Sequence, residues 1–599
     1  RNYVTLTEDW QSVRIPLSAF IYGTEFVPTQ TSGINFGSSA DATGTFWLNN
    51  IRFTSPDSEP AIPAIKINLI GYQPDAPKYA LITGPNLTFP KDTPFSITPA
   101  NSDEEIHSGV LNGITDFDPA SGDSIYIANF DELTEQGLYR LHIEGLETSP
   151  VFRIGTNIYD NLLVDTMRYF YMQRQGIELD FQTAGAFERG IGHPLDTVAE
   201  FASGAFPARD VSGGWYDAGD YGKYVNAGAA AISDLLWAYR LFPDAFQDNQ
   251  FNIPESGNGV PDLLDEVRWE LEWLLKMQDP NEGGFWTRVG PTEFGQPDES
   301  THTRTIEDTD GERVNVQPTG NTASAVAALA MAAPFYREID PLFADELIAA
   351  AELGWQYLEN HPETVLSIPG AYADDEDTQE RLWAAAALYA TTNSESAHAY
   401  YLANYQNFAQ LWQSETDNAY GIVIMGMVAF LEYGFSENPD PEALAWFTQQ
   451  YGTWRTMMLE RAEAPWRTTL LDEDYYWGSN SAAISTVNTL YIADLITQQD
   501  TANTITIAHQ TLNYILGINP LRLSYISGYG VDSIERPHSA LWSSDDIVPI
   551  PAGVLVGGPN EYTNPFLYSA FPAKRFSDSD HNWSTNEHTI YWNAQLVFM

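Results

Sequence analysis

Pro261-Asp262-Leu263-Leu264-Asp265-Glu266-Val267-Arg268-Trp269-Glu270-Leu271-Glu272-Trp273-Leu274-Leu275-Lys276-Met277 sets Leu263, Leu264, Val267, Leu271, Leu274 and Leu275 on one side of a 3.6-residue period. The stretch therefore reads as an amphipathic helix lying over a core. The same spacing recurs near 158–172, 224–241, 321–336, 342–358, 381–391, 397–412, 421–432, 443–460, 482–497, 502–516 and 587–598. Together these predict twelve helices, joined by long polar or glycine- and proline-rich loops. An (α/α)6 barrel needs that number, six inner and six outer, with one face built of loops. A helical solenoid is the competing architecture, and the regular repeat it requires is not found in the sequence.

Upstream the period is that of strands. Residues 1–57 alternate apolar and polar side chains in short runs: Trp10, Val13 and Ile15, then Ile34 and Phe36, then Phe46, Leu48 and Ile51. After the joint Pro60-Ala61-Ile62-Pro63, residues 62–155 carry strand-like stretches at 65–69, 79–82, 124–128 and 138–143, separated by turn residues. That spacing suits a small antiparallel sandwich. The predicted chain is multidomain and mainly α: a partial β segment over 1–57, a β-sandwich over 62–155 and the helical barrel over 156–599. A chain of 599 residues is too long for one ordinary core.

The net charge is -53, from 81 acidic and 28 basic residues, which makes nucleic acid and anionic membrane poor partners. A neutral polysaccharide is not repelled by such a surface. With no cysteine, disulfides, thiolate nucleophiles and Cys-ligated zinc are excluded. The longest apolar run, Gly421 to Phe430, is shorter than the roughly 20 residues a bilayer span requires. The sequence opens at Arg1 in strand-like material without a charged n-region and apolar h-region. The expectation is a secreted, extracellular protein, monomeric, whose signal peptide has been removed.

Two strings carry candidate chemistry. Gly213-Gly214-Trp215-Tyr216-Asp217-Ala218-Gly219-Asp220-Tyr221-Gly222-Lys223-Tyr224 is a glycine-rich loop before a predicted helix, with two carboxylates three apart among aromatics. Such a loop can aim both acids at one spot while rings limit water, and this turns a carboxylate into a useful base. The plain alternative is a turn with a helix-capping Asp. The second string is Ser584-Thr585-Asn586-Glu587-His588-Thr589-Ile590-Tyr591-Trp592-Asn593-Ala594. Read alone, its Glu587 is a surface residue complementing the dipole of a first helical turn.

The first string resembles the catalytic-base motif of family 9 glycoside hydrolases almost residue for residue, and the second resembles the motif bearing that family's proton donor. The resemblance extends through Asp165 to Gly176, Asn258 to Asp265, Tyr476-Trp477-Gly478-Ser479-Asn480, Leu516-Gly517-Ile518-Asn519-Pro520 and Gly553 to Asn560. Ile65 to Tyr72 and Gly137 to Leu141 resemble the immunoglobulin-like domain preceding the barrel in one branch of the family. The runs 9–17 and 44–51 resemble the closing strands of a carbohydrate-binding module. The resemblance implies that Asp220 is the general base, that Asp217 helps to hold the attacking water, and that Glu587 is the acid. Water attack without a covalent intermediate inverts the anomeric centre and needs a gap of roughly 6.5–9.5 Å between the carboxyl groups. The acid must keep its proton, and burial against Trp583 or Trp592 is the expected cause of a raised pKa.

Two departures from the family pattern matter. Some relatives hold a structural zinc with two cysteines and two histidines; the matching positions here are Gln175, Gly192 and Tyr216, with only His193 kept, so no zinc is predicted. The family's usual His-x-Arg pair is represented by His538 and Ala540, which removes a guanidinium contact to the sugar. For sugar stacking the candidates are Trp477, Trp583 and Trp592, then Tyr529 and Trp286. His538 is a candidate donor to a sugar hydroxyl. Catalysis needs no cofactor. The acidic run Asp374 to Asp377 is a candidate for structural Ca²⁺, with a solvated charge run as the alternative.

The expected function is inverting hydrolysis of β-1,4 bonds in cellulose or related β-glucans. Exo-action on cellodextrins or chitosan-derived glucosamine oligomers is the alternative within the fold. From another class, the alternative is a non-catalytic polysaccharide-binding protein.

Overall fold

The computed structural model describes residues 62–291, 304–366, 372, 376–407, 425–543, 550–562 and 569–599. The partial β segment predicted over 1–57 lies outside the described residues, as do Asp374 and Asp375 of the calcium candidate. Asp377, from the same acidic run, pairs with Arg381 at 2.9 Å.

The β unit is built from eight strands: β1 Ile65–Lys66, β2 Tyr79–Gly84, β3 Pro94–Pro99, β4 His107–Val110, β5 Asn112–Thr115, β6 Ser124–Asn129, β7 Gly137–Ile143 and β8 Phe152–Ile154. They form two four-stranded sheets, ordered β1-β2-β6-β5 and β4-β3-β7-β8, antiparallel throughout. Side chains alternate across each strand, and one face of each sheet supplies the core: Ile82 and Ile125 from one, Ile97 and Leu141 from the other, all fully buried. This sandwich is joined to the helical body through backbone and side chain alike. Leu69 N–H donates to the Leu516 carbonyl at 2.8 Å, Asn68 bonds Asn513 at 2.8 Å and Lys574 pairs with Asp123 at 2.7 Å. Two of the matched strings, 65–72 and 516–520, therefore meet at this seam.

Among the described residues twelve long helices follow: α1 Asp160–Gln173, α2 Val225–Leu241, α3 Asp262–Lys276, α4 Thr319–Tyr336, α5 Pro341–Asn360, α6 Thr378–Thr392, α7 Glu395–Asn404, α8 Met425–Gly434, α9 Pro441–Arg461, α10 Ser479–Ile496, α11 Ala502–Ile515 and α12 Ile590–Phe598. The even-numbered helices pack in a closed ring, α2 on α4, α4 on α6, α6 on α8, α8 on α10, α10 on α12, and α12 back on α2. The odd-numbered helices pack outside them, which is the (α/α)6 barrel. Sequence explains the division. Thr319–Tyr336 of α4 is rich in alanine and buried nearly all round, as an inner helix must be. In α3 the predicted stripe is buried at Leu263, Leu264, Val267, Leu271 and Leu274 and half-buried at Leu275, and Glu272 is exposed.

One boundary differs in a way that matters. The last helix was expected from 587, yet α12 starts at Ile590, because the Thr589 hydroxyl accepts from Trp592 N–H and caps it there. Glu587 is consequently not in a first helical turn. It lies in extended backbone (φ -77°, ψ 152°) just past the short helix Trp583–Asn586.

Candidate active site

The Asp217 and Asp220 loop is braced from behind by charge. Trp215 donates its backbone N–H to Glu270 at 2.6 Å and its indole N–H to Glu266 at 2.8 Å. Glu266 pairs with the buried Arg174 at 2.9 Å, which also holds Glu255. Breaking a buried pair of this kind costs about 3–5 kcal/mol. On the other flank Lys223 donates to the carbonyls of Val211 and Gly213 and pairs with Asp196, which in turn binds Arg304. The loop closes on itself through Asp217 N–H to the Gly222 carbonyl, 2.8 Å, and is fastened to α12 by Ile590 N–H to the Asp217 carbonyl, 2.8 Å.

Within this frame the three carboxyl groups stand in different surroundings. Asp217 is 1% exposed and accepts from the Tyr372 hydroxyl at 2.5 Å. Burial pushes its pKa up to about 8; the Tyr372 bond opposes that shift and the charge of Asp220 adds to it. Asp220 is half-buried and keeps two donors, Gly222 N–H at 2.8 Å and the Tyr224 hydroxyl at 3.0 Å. Arg288 stands behind Tyr224 at 3.4 Å and is itself paired with Glu307. Glu587 is held well above the usual carboxylate range, first by desolvation and then by the negative fields of Asp220 and Asp217, while a backbone N–H of Gly219 opposes the shift.

Backbone contacts bring the segment of the distant glutamate to the loop. The chain leading to Glu587 is fixed by Gly557 N–H to its carbonyl at 2.9 Å and by a parallel bridge to His538. Asn480 holds the 556–557 backbone in turn. Gly219 lies against the same segment: its carbonyl accepts from Ala540 N–H at 2.7 Å. A Cβ at this position would come within 2.4 Å of the His538 carbonyl oxygen, so the close approach of the two strings requires glycine.

The other predicted residues divide. Trp583 is 51% exposed and stacks, tilted by 42°, on Trp477 at 4.7 Å; exposed Tyr562 lies 6.4 Å from Trp477. These rings form an aromatic ledge beside the glutamate. Trp592 is instead buried at 1%, against Gly478 and Gly557. Trp286 is buried at 3%, against Phe201 and with its N–H on Asn315. Stacking on sugar is corrected for both: their faces are spent on packing. Tyr529 donates its hydroxyl to Asp165 at 2.6 Å, in a loop whose Gly530 packs on Leu69, and so it belongs to the seam with the β unit. His538 Nδ1 lies 2.6 Å from the Asp580 carbonyl. A carbonyl only accepts, so Nδ1 donates this bond, and the ring is held against the Asp580 backbone.

The four positions aligned with the relatives' zinc ligands do lie together. Gln175 donates to the carbonyls of Gly192 and His193 at 2.8 and 3.1 Å, and His193 Nδ1 is 2.6 Å from the Tyr216 hydroxyl. Lys223 lies 3.2 Å from the Gln175 side-chain oxygen, and Arg189 and Arg304 stand over the Tyr216 ring. A carboxamide, a phenol and one imidazole among three cations do not fit zinc. Among the described residues no group of three or more His, Cys, Asp or Glu could hold a metal ion.

Tyr372, Tyr224 and Arg288 were not foreseen in the sequence. Tyr224 closes the quoted loop and could have been found there. Tyr372 lies 155 residues from its partner and leaves no local pattern.

An (α/α)6 barrel whose loop face gathers two aspartates, a desolvated glutamate and an aromatic ledge defines a class, that of the glycoside hydrolases. Comparison with known proteins fixes the family: the chain belongs to glycosyl hydrolase family 9, whose description matches residues 159–599. Residues 61–148 match the cellulase N-terminal ig-like domain and residues 1–55 match carbohydrate binding domain 30. The chain is 30% identical to a xyloglucan-specific endo-beta-1,4-glucanase of Bacteroides ovatus, covering 92% of this chain and 95% of that protein. It is also 30% identical to a cellodextrinase of Butyrivibrio fibrisolvens, covering 89% and 98%. A metagenome-derived family 9 endoglucanase of solved structure aligns with a TM-score of 0.77 and 31% identity, covering 89% of this chain and 97% of that one. Among the described residues no helix is long and apolar enough to cross a membrane.

Proposed function

We propose that the chain hydrolyses internal β-1,4 bonds of a glucan with inversion, Glu587 protonating the leaving oxygen, Asp220 activating water and Asp217 orienting that water. The observation that carries this reading is the pair of backbone bonds that join the two strings, Ile590 N–H to the Asp217 carbonyl at 2.8 Å and Ala540 N–H to the Gly219 carbonyl at 2.7 Å, with His538 bridged to Glu587 beside them. Electrostatics support the division of labour. Three carboxyl groups sharing one space cannot all ionise cheaply. Glu587 and Asp217 are pushed toward the protonated form, while Asp220 accepts from two donors and is only half-buried. The ledge of Trp477, Trp583 and Tyr562 gives pyranose faces an apolar surface to stack on. We further propose a secreted monomer that needs no metal for catalysis.

A second reading, exo-action on cellodextrins or glucosamine oligomers, is favoured by Ala540: its backbone, not a guanidinium, faces the Asp220 loop. Defined cellodextrins, carboxymethyl cellulose and chitosan oligomers, with anomer-resolved product detection, separate the two. A rapid viscosity drop with α-configured new ends supports the endo reading. Monosaccharide release from one chain end supports the other. β-Configured products would remove inversion.

A further inference from the structure

Behind the carboxyl groups, out of reach of substrate, buried polar side chains run from one catalytic string to the other. Gln173, at the C-terminal end of α1, donates its carboxamide N–H to the carbonyls of Tyr216 at 3.1 Å and Ala218 at 3.4 Å, the residues flanking Asp217. Tyr169 lies four residues earlier, on the same face of α1, so the helix itself fixes its buried hydroxyl relative to Gln173. That hydroxyl shares a 2.8 Å bond with Nδ1 of His588, the residue that follows Glu587. Tyr169, Gln173 and His588 are all fully buried. Trp542 covers the imidazole, its ring 4.8 Å away and tilted by 33°, and stands edge-on to Tyr169 at 6.4 Å.

Local geometry shows what the chain can control. Glu587 and Thr589 are both in extended backbone, where successive side chains point to opposite sides. With His588 anchored inward on Tyr169, Glu587 must point outward, to the loop of Asp217 and Asp220. The imidazole stays neutral, since burial lowers its pKa to about 3 and the nearby His538 adds to the effect. It can therefore share a bond with a phenol without bringing a cation to the acid.

We infer that Gln173, Tyr169 and His588 are positioning residues: a hydrogen-bonded spacer on α1 that sets the distance and facing of Glu587 relative to the Asp217 and Asp220 loop. The inference rests on the proposed roles of those carboxyl groups. Inversion depends on their separation, and misplacing a reacting group by about 1 Å costs on the order of 100-fold.

Turnover of two aryl β-cellobiosides tests it: 2,4-dinitrophenyl, which departs without a proton, and phenyl, which needs one. Tyr169→Phe, which removes only the hydroxyl, is expected to lower kcat for the phenyl substrate at least ~10-fold more than for the dinitrophenyl one, with KM unchanged. His588→Asn, whose side-chain oxygen stands close to where Nδ1 was, should retain the wild-type ratio, and His588→Val should lose it. The His588 pair keeps the test open if Tyr169→Phe does not fold. Equal losses on both substrates, or none, overturn the spacer. Glu587→Gln keeps the two failures apart. If it retains phenyl cellobioside turnover, the assignment of the acid is wrong; if it loses that turnover while Tyr169→Phe and His588→Val behave as wild type, only the spacer is wrong.

Discussion

The loop of Asp217 and Asp220 and the segment of Glu587 face each other but are held by opposite means. The loop is clamped by ions: Arg174 between Glu255 and Glu266, Lys223 and Arg304 on Asp196, Arg288 behind Tyr224. The glutamate segment is clamped by neutral groups: His588 on Tyr169, Asn480 on the 556–557 backbone, and Asn593 on Leu555. No cation is among the causes acting on Glu587, whose strongest electrostatic neighbours are two carboxyl groups. One cleft can in this way keep an acid and a base side by side. Where a carboxyl must ionise, donors backed by positive charge support it; where one must keep its proton, the fold anchors the backbone without bringing a cation near.

The contrast breaks most visibly at its two ends. Glu587→Gln and Asp220→Asn should each lower kcat on cellulose oligomers by about 10²–10⁴-fold, the usual worth of general acid–base groups, with the melting temperature kept. Retention of more than a tenth of wild-type turnover by either would end the assignment of that residue. A smaller effect sharpens the comparison. Tyr224→Phe removes one of the two donors of Asp220 and the link to Arg288, so kcat should fall about 10-fold. The carboxylate is then less firmly oriented, and steady-state kinetics should show the loss in kcat with KM kept. Wild-type kcat in this variant would contradict the claim that Tyr224 holds Asp220 in place.

The smallest expected effect concerns stability. The pKa of Asp217 in the folded state is about 8, raised from 3.8. Its contribution is fully present below the unfolded value and is lost as pH rises through the folded one. Asp217→Asn should therefore raise the melting temperature at pH 8, by roughly 2 °C, and leave it unchanged at pH 4. Calorimetry at the two pH values decides this, and an equal effect at both would mean that desolvation is not the cause.

Periodic packing was legible in the sequence, and contacts across the fold were not. All twelve helices predicted from apolar spacing are present, because an inner or outer helix repeats its burial every 3.6 residues. The Asp217 and Asp220 loop was visible because its donors Gly222 and Tyr224 lie within the same string. Tyr372, Tyr169 and Gln173 were missed, since each acts on residues that are close only in the folded chain: Tyr169 and His588 are 419 positions apart. Trp592 and Trp286 were misjudged because a ring that stacks on sugar and a ring that fills a core have the same local pattern. Thr589 decides where α12 begins, and a threonine cap inside an apolar run is easily taken for part of the helix.

The ring of inner helices is closed by α12 lying on α2, and the proposed acid sits three residues before α12. A nascent chain that has not emerged beyond residue 586 thus lacks both the wall that completes the barrel and the group proposed to donate the proton. Closing that ring joins segments some 350 residues apart, a late and slow event for a folding polypeptide. Glucan cleavage by this protein would report on the closure of its barrel.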